Sequence, residues 1–349
     1  MREGILSKIR GIKMELLKRY ILPRLLQYFI VVFIGISVTF IAPRLTPLDP
    51  VITVLNQMSA FGSAFMSPES AEMVISSLRE LYGLEGTLLE QYGKFWSRIL
   101  RGDFGPSLSM FPTPVIDLIM NSLPWTAGLL LFSGLVSWII GNTLGGIAGY
   151  FNHKKWSKVL ETFAMSIYPI PPFIMALSLL IILGYVFPIF PMVGGFGIGL
   201  TPGFNVDFVL NLLKHAFLPA LSLIIINSGW WFLSMRHLTT SITSEDFVAH
   251  AEVMGIPKGK ILTRYVLRNA LTPQITNLAL QLGGMFSGAI IVEMVFSYPG
   301  MGFLLFTSVN AGDFNLMMGV ALFSILGIST MVLLIDLLYP LIDPRVRYK

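Results

Sequence analysis

Few residues in this chain could act on a phosphate, a metal or a proton, and most fail a specific test. Gly255-Ile256-Pro257-Lys258-Gly259-Lys260-Ile261 superficially matches a phosphate-binding loop. Only three residues lie between its glycines instead of four, Ile261 stands where Ser or Thr would bind magnesium, and no strand precedes it. The segment is therefore not read as a nucleotide site, and no cofactor or metal is expected in this chain. His153, His215, His237 and His250 are scattered without the paired spacing of a metal site. Cysteine is absent, which removes thiolate ligands, disulfides and cysteine nucleophiles together. Gly194-Gly195-Phe196-Gly197-Ile198-Gly199 lacks the strand-then-helix setting of a nucleotide fingerprint and reads as an external turn. No nucleophile–base or paired-acid constellation supports an enzyme. Two acids, Glu293 and Asp336, fall within or at the ends of long apolar runs, where a charge costs at least about 2.5 kcal/mol. Glu293, with Pro299 and Gly300 just beyond it, is read as lining a pathway or bracing an outer gate. The alternative is a structural hydrogen bond to a neighbouring helix. Asp336 is read as structural.

The most organised polar segment is SEDFVAHAEVMGIPKGKILTRYVLRNALTP, beginning at Ser244. Ser244 is an expected N-cap, with Glu245 and Asp246 complementing the positive end of the helix dipole. Phe247, Ala251 and Met254 follow at i, i+4 and i+7 as one apolar stripe. Gly255 suits a left-handed C′ position, and Pro257 suits the first position of a second helix. That second helix carries Lys258, Lys260, Arg264 and Arg268 and is expected to stop before Pro273. A short helix exposing Phe247 and Met254 fits a groove in a partner. An amphipathic loop resting on the membrane surface is the alternative.

The elements around this loop are written in hydrophobicity. Of 349 residues, 54% are hydrophobic and only 12% charged, about half the charge of a soluble protein, with mean hydropathy +0.74. Six runs approach the ~20 residues needed to cross a bilayer: 20–42, 125–150, 159–187, 217–235, 275–296 and 316–338. Their backbones must bond internally, so they are expected to be helices. Pro169, Pro171 and Pro172 predict a broken or strongly bent third helix. Basic residues gather before the first run, between the second and third, between the fourth and fifth, and in the tail, whereas 192–213 and 297–315 contain none. Both termini are therefore expected in the cytoplasm. This distribution explains a pI near 9.3 better than a nucleic-acid partner does. The expected organisation is a cytoplasmic segment 1–19, a first span 20–46 and an extracytoplasmic loop 47–121 with short helices. A five-helix core 122–340 containing the loop 236–273 follows, then a cytoplasmic tail 341–349. Within 47–121, Ser67-Pro68 reads as a helix start and 88–100 as a second amphipathic helix, followed by a turn at Gly102-Asp103-Phe104-Gly105-Pro106.

Several stretches resemble the membrane permease subunits of ATP-binding-cassette importers, in the dipeptide/oligopeptide/nickel branch. The polar loop is similar to that family's EAA loop through Asp246, Phe247, Ala251, Gly255 and Leu267-Arg268-Asn269-Ala270-Leu271-Thr272-Pro273. Arg24-Leu25-Leu26, Pro47-Leu48-Asp49-Pro50, Gly102-Asp103-Phe104-Gly105, the run Val292–Gly302 and Asp343-Pro344-Arg345 extend the resemblance over nearly the whole chain. Glu252, Met254 and Phe303 depart from the residues common at their positions. The resemblance implies an all-α polytopic fold of six transmembrane helices, the type I importer permease, multi-pass in the cell inner membrane. It implies a coupling loop built from Asp246, Phe247, Ala251, Met254, Gly255, Arg264, Arg268, Asn269 and Pro273, with Ala251 against an ATPase surface. Its implied partners are a second homologous permease, two cytosolic ATPases that would bind the ATP and magnesium, an extracytoplasmic solute-binding protein and the lipid bilayer. The long first external segment favours the first-type subunit, and peptides are the expected cargo ahead of oligosaccharides or nickel complexes. An ion-gradient-driven secondary transporter or channel is the alternative, disfavoured by the scarcity of acids in the apolar runs. A reporter fused after Lys349 is expected to be cytoplasmic and one inserted near Gly86 external; both tags on one side would overturn this topology.

Overall fold

The computed structural model describes residues 20–45, 51–52, 72–73, 75–77, 79, 83–197, 199–200, 203, 205–284 and 289–342. The described residues are helical with no strand, as expected for backbone that must satisfy its own polar groups in hydrocarbon. The helices are α1 (Leu22–Arg44), α2 (Leu88–Leu100), α3 (Val115–Tyr150), α4 (Lys155–Ile167), α5 (Pro172–Leu179, continued by a π-helical Leu180–Val186) and α6 (Val206–Thr243). They continue with α7 (Asp246–Val253), then α8, which joins Lys258–Lys260, a π-helical Ile261–Leu267 and Arg268–Gly283 into one run. The last are α9 (Ile290–Val295), α10 (Met301–Asn310) and α11 (Phe314–Ile342).

Among the described residues four helices are long and apolar enough to cross a membrane: α1, α3, α6 and α11. The expected third run is a bent pair, α4 and α5, turning by 94° at the Pro169–Pro172 segment. The fifth run departs from a single helix: it is divided between α8 and α9, and 285–288 lie outside the described residues. Helix α3 begins ten residues before its expected start and runs through Pro124, so its first turns occupy the end of the expected external loop. The Ser67-Pro68 helix start, the Pro47–Pro50 motif, the N-terminal 1–19 and the tail motif from Asp343 lie outside the described residues.

The chain divides into two compact units, residues 1–124 with 300–333, and 125–299 with 334–349. In the first, Tyr92, Phe95 and Trp96 of α2 pack on Phe40 and Phe33 of α1, and the Tyr92 and Ser37 hydroxyls lie 2.7 Å apart. A Thr87–Glu90 capping box starts α2 on the boundary expected from the sequence. Gly102 and Gly105, both at positive φ, form the expected turn. Asp313, fully buried, fixes the segment that follows. Its Oδ2 accepts from the hydroxyls of Ser107 and Ser109 and the amides of Leu108 and Ser109, all between 2.6 and 3.0 Å. Its Oδ1 accepts the Leu316 amide at 3.0 Å, starting α11. A charge buried this deeply survives only when donors replace its water, and here five do.

In the second unit α3 crosses α6 at backbone contact. Gly141, Gly145 and Gly149 recur every four residues on one face of α3. A Cβ at Gly145 would collide with the Phe232 backbone, at Gly141 with Trp231 and Ser228, and at Gly149 with Arg236 and Thr239. Glycine at four-residue spacing lets helices approach where lipid supplies no hydrophobic drive for association. At the far end Thr240 donates its hydroxyl to the Gly149 carbonyl at 3.3 Å. Gly145→Val is expected to separate these helices at an overpacking cost of about 1–3 kcal/mol. Its check is the thermal midpoint of the solubilised protein, set beside Gly128→Val, whose site meets nothing within 4 Å.

Candidate functional site

The connection from α6 to α7 is shorter than the sequence suggests. Ser244 is not the N-cap of α7: α6 persists to Thr243, and the Ser244 hydroxyl donates back to the Ser241 carbonyl at 2.7 Å. Glu245 takes the N-cap position in extended conformation, without a side-chain cap. The C-terminus follows the expected chemistry. Gly255 has φ +73°, the Gly255 amide donates to the Glu252 carbonyl at 2.9 Å and the Ile256 amide to the Ala251 carbonyl at 3.2 Å. This pair of bonds is a Schellman motif, with Ile256 entering the apolar cluster beneath. A Cβ at Gly255 would meet no neighbour, so the requirement for glycine is one of backbone conformation alone.

The apolar stripe of α7 is divided. Ala251 is 3% exposed and packs with Val248, Tyr150, Ile261 and Val266 in the chain's own core, rather than facing outward as expected. Phe247 and Met254 are exposed, and Val253, outside the expected stripe, is 90% exposed. The reason is rotational register: the helix is only eight residues long, and the cluster of α3, α6 and α8 takes the Val248–Ala251 side. Asp246, Arg264, Arg268 and Asn269 are exposed. Pro257 is the N-cap of α8 rather than its first residue. Nor does α8 stop before Pro273; it runs through an exposed Pro273 to Gly283, losing one backbone bond while its other turns remain helical.

Gln274, beside that proline, is fully buried and ties α8 to two neighbours. Its Nε2 donates to the Ser234 hydroxyl of α6 at 2.8 Å, and its backbone carbonyl accepts the Trp138 indole N–H of α3 at 3.2 Å. Arg236 of α6 and Glu161 of α4 form an ion pair at 2.6 Å with both side chains largely shielded. The sequence reading passed over both features. Charged residues in long apolar helices are the signal that could have found the pair, but a lone Gln offers no comparable mark.

Glu293 lies on α9 with no exposed surface. Its Oε1 accepts the Thr126 hydroxyl of α3 at 2.8 Å and the Ala289 amide at 3.4 Å. Thr126 is itself fully buried. The carboxylate thus faces a neighbouring helix and not open space, the geometry of the alternative reading. Past Glu293 the chain closes a second Schellman turn, with the Tyr298 amide on the Glu293 carbonyl and the Ser297 amide on that of Met294. Ser297 holds the left-handed position at φ +46°, where glycine is usual and a side chain adds strain. The glycine-rich turn docks here: Gly194 donates its amide to the Phe296 carbonyl at 2.8 Å, and a Cβ on Gly195 would strike Pro299 and Trp125. Trp125 stacks on Phe196 and meets Tyr298 edge-on. Pro299 is therefore part of this docked turn, while Gly300 is the extended N-cap of α10. Asp336 is half-buried on α11.

Residues 141–348 match the family described as the binding-protein-dependent transport system inner membrane component. A probable D,D-dipeptide transport system permease protein of Escherichia coli K12 is 29% identical over 91% of this chain and 94% of its own length. An oligopeptide transport system permease protein of Bacillus subtilis is 27% identical over 94% and 99%. A glutathione transport system permease protein of E. coli K12 is 28% identical over 95% and 99%.

The Glu293–Thr126 bond yields a direct test. Glu293→Leu removes the carboxylate that accepts the Thr126 hydroxyl and is expected to cost about 1–3 kcal/mol, whereas Glu293→Gln keeps an acceptor there and loses less. Thermal unfolding of the solubilised variants separates them; equal losses would assign the effect to charge instead of the hydrogen bond.

Proposed function

Because the chain belongs to the family of binding-protein-dependent transport system inner membrane components, we propose that it forms one half of a peptide pathway and receives the ATPase push through α7. The family places it in the inner membrane as a permease of an ATP-binding-cassette importer, whose ATPase and solute-binding components are separate proteins. The finer assembly proposed is a second homologous permease, two cytosolic ATPases and an extracytoplasmic solute-binding protein. Six spans with both termini in the cytoplasm fit the basic loops, with α8 and α9 as the fifth span and the bent α4–α5 pair as the third. The proposed organisation keeps the segments 1–19, 20–46, 47–121, 122–340 and 341–349. Peptides are the proposed cargo, since the relatives' names concern D,D-dipeptides, oligopeptides and glutathione, itself a tripeptide.

The observation that carries the coupling role is the two-sidedness of α7. Its inner side, Val248 and Ala251, is locked into the chain's own core, while Phe247, Val253 and Met254 stand exposed along its outer side. A rigid lever with an apolar end is what transmission of a rigid-body movement needs. Asp246, Gly255, Arg264, Arg268, Asn269 and Pro273 frame that lever, and Gln274 is its anchor. Glu293, Pro299 and Gly300 are proposed as the brace of an outer gate, acting by fixing α9 against α3 and the glycine-rich turn.

Phe247→Glu and Met254→Glu are expected to abolish substrate-stimulated ATP turnover or detach the ATPases while insertion stays normal. Subunit retention, ATP hydrolysis and uptake in reconstituted complexes check this; wild-type values in all three would show that α7 is not the transmission element. Ala251→Glu would not discriminate, since it also breaks the buried cluster.

A further inference from the structure

We infer that the first unit carries a site for a phosphate oxyanion, supplied by an anionic lipid headgroup, in the cleft bordered by α1, α2 and α11. Arg44, Gln91, Lys94, Arg98, Asp103 and Asn315 form its polar rim over an apolar floor. The rim's carboxylate is already engaged: Asp103 accepts from Arg98 Nε at 3.3 Å and from the Gly105 amide at 2.8 Å. Among the described residues Arg44 is held in place by neutral groups. Its Nη1 donates to the Phe40 carbonyl at 2.8 Å, its Nε and Nη2 share Gln91 Oε1 at 3.3 Å, and its guanidinium lies 3.6 Å over the Phe40 ring. Gln91 is fixed in turn, donating Nε2 to the Leu84 and Gly86 carbonyls. Lys94 makes no hydrogen bond or ion pair among the described residues and is exposed at the mouth. Two cations thus converge on one cleft with no carboxylate partner among the described residues, and one of them is rigidly pre-positioned.

The surroundings select the ligand. Arg44 ends an apolar helix of membrane-spanning length, and Val38, Ile41 and Leu45 beside it are exposed. Leu88, Leu89 and Leu100 of α2 are exposed as well. A cationic cleft bordered by exposed alkyl side chains matches a phosphodiester whose acyl chains remain on the apolar face. The cleft's cavity volume is about 40 Å³, on the scale of a water or two.

The full chain in nanodiscs of equal phosphatidylglycerol and phosphatidylcholine, released into native mass spectrometry, tests the site. Wild type is expected to retain phosphatidylglycerol preferentially, and Lys94→Gln to lower that retention about fivefold, as loss of one cation near anionic headgroups predicts. Lys154→Gln, a lysine outside the cleft, is the control and is expected to leave it unchanged. Retention that resists millimolar inorganic phosphate assigns the site to a headgroup; displacement by phosphate supports the oxyanion chemistry with the free ion as its source. Equal retention of both lipids, or equal loss in the two variants, would overturn the site.

Discussion

Where α3 crosses α6, peptide backbone meets peptide backbone, and most of the second unit is arranged around that approach. Gly141, Gly145 and Gly149 remove the side chains that would hold the helices apart. Within lipid, such closeness supplies dispersion contacts that burial of apolar surface cannot, because the alternative environment is equally apolar. The other ties are laid across the same contact. Trp138 and Ser234, on the two crossing helices, both engage Gln274 of α8, and Thr240 reaches the Gly149 carbonyl. The cluster that seats α7 begins at Tyr150, one residue beyond the last of the three glycines.

Much of the architecture was legible because hydrocarbon imposes long helices and long helices leave long apolar runs. The boundaries of α1 and α2, the proline bend between α4 and α5, and the left-handed Gly255 all follow from local chemistry. What escaped was tertiary. The division of α7 into an inner and an outer side depends on which face the α3–α6–α8 cluster takes, and an eight-residue helix contains too few turns to declare it. The persistence of α8 through Pro273 likewise depends on neighbours, with Gln274 pinned on both sides. The Gly141–Gly145–Gly149 spacing is a mark of close helix packing that the sequence does carry, but it went unread. Asp313 was not readable: its five donors come from Ser107, Leu108, Ser109 and Leu316, most of them some two hundred residues distant in sequence.

Helix ends are finished by one recurring device. Gly255, Ser297 and Gly312 each occupy a left-handed position after a short helix, with its own amide and the next one folded back onto the last turn. Two of these turns flank functional candidates, the foot of α7 and the Glu293 brace. Ser297 is the exception in chemistry, since a residue with a Cβ accepts a conformation that glycine adopts freely. The strain is held by Gly194, whose amide locks the Phe296 carbonyl, and by the Trp125–Tyr298 contact.

The two-sided α7 also separates two kinds of inheritance. The residues that decide where the helix stands, Val248 and Ala251, and those that decide what it can touch, Phe247, Val253 and Met254, are disjoint sets. A change in the second set rewrites the outward message without disturbing its carrier. Such a chain can drift toward a different neighbour one exposed side chain at a time, keeping a folded intermediate at every step. Had the same apolar stripe served both inward packing and outward contact, each exchange of partner would have required a compensating repair in the core.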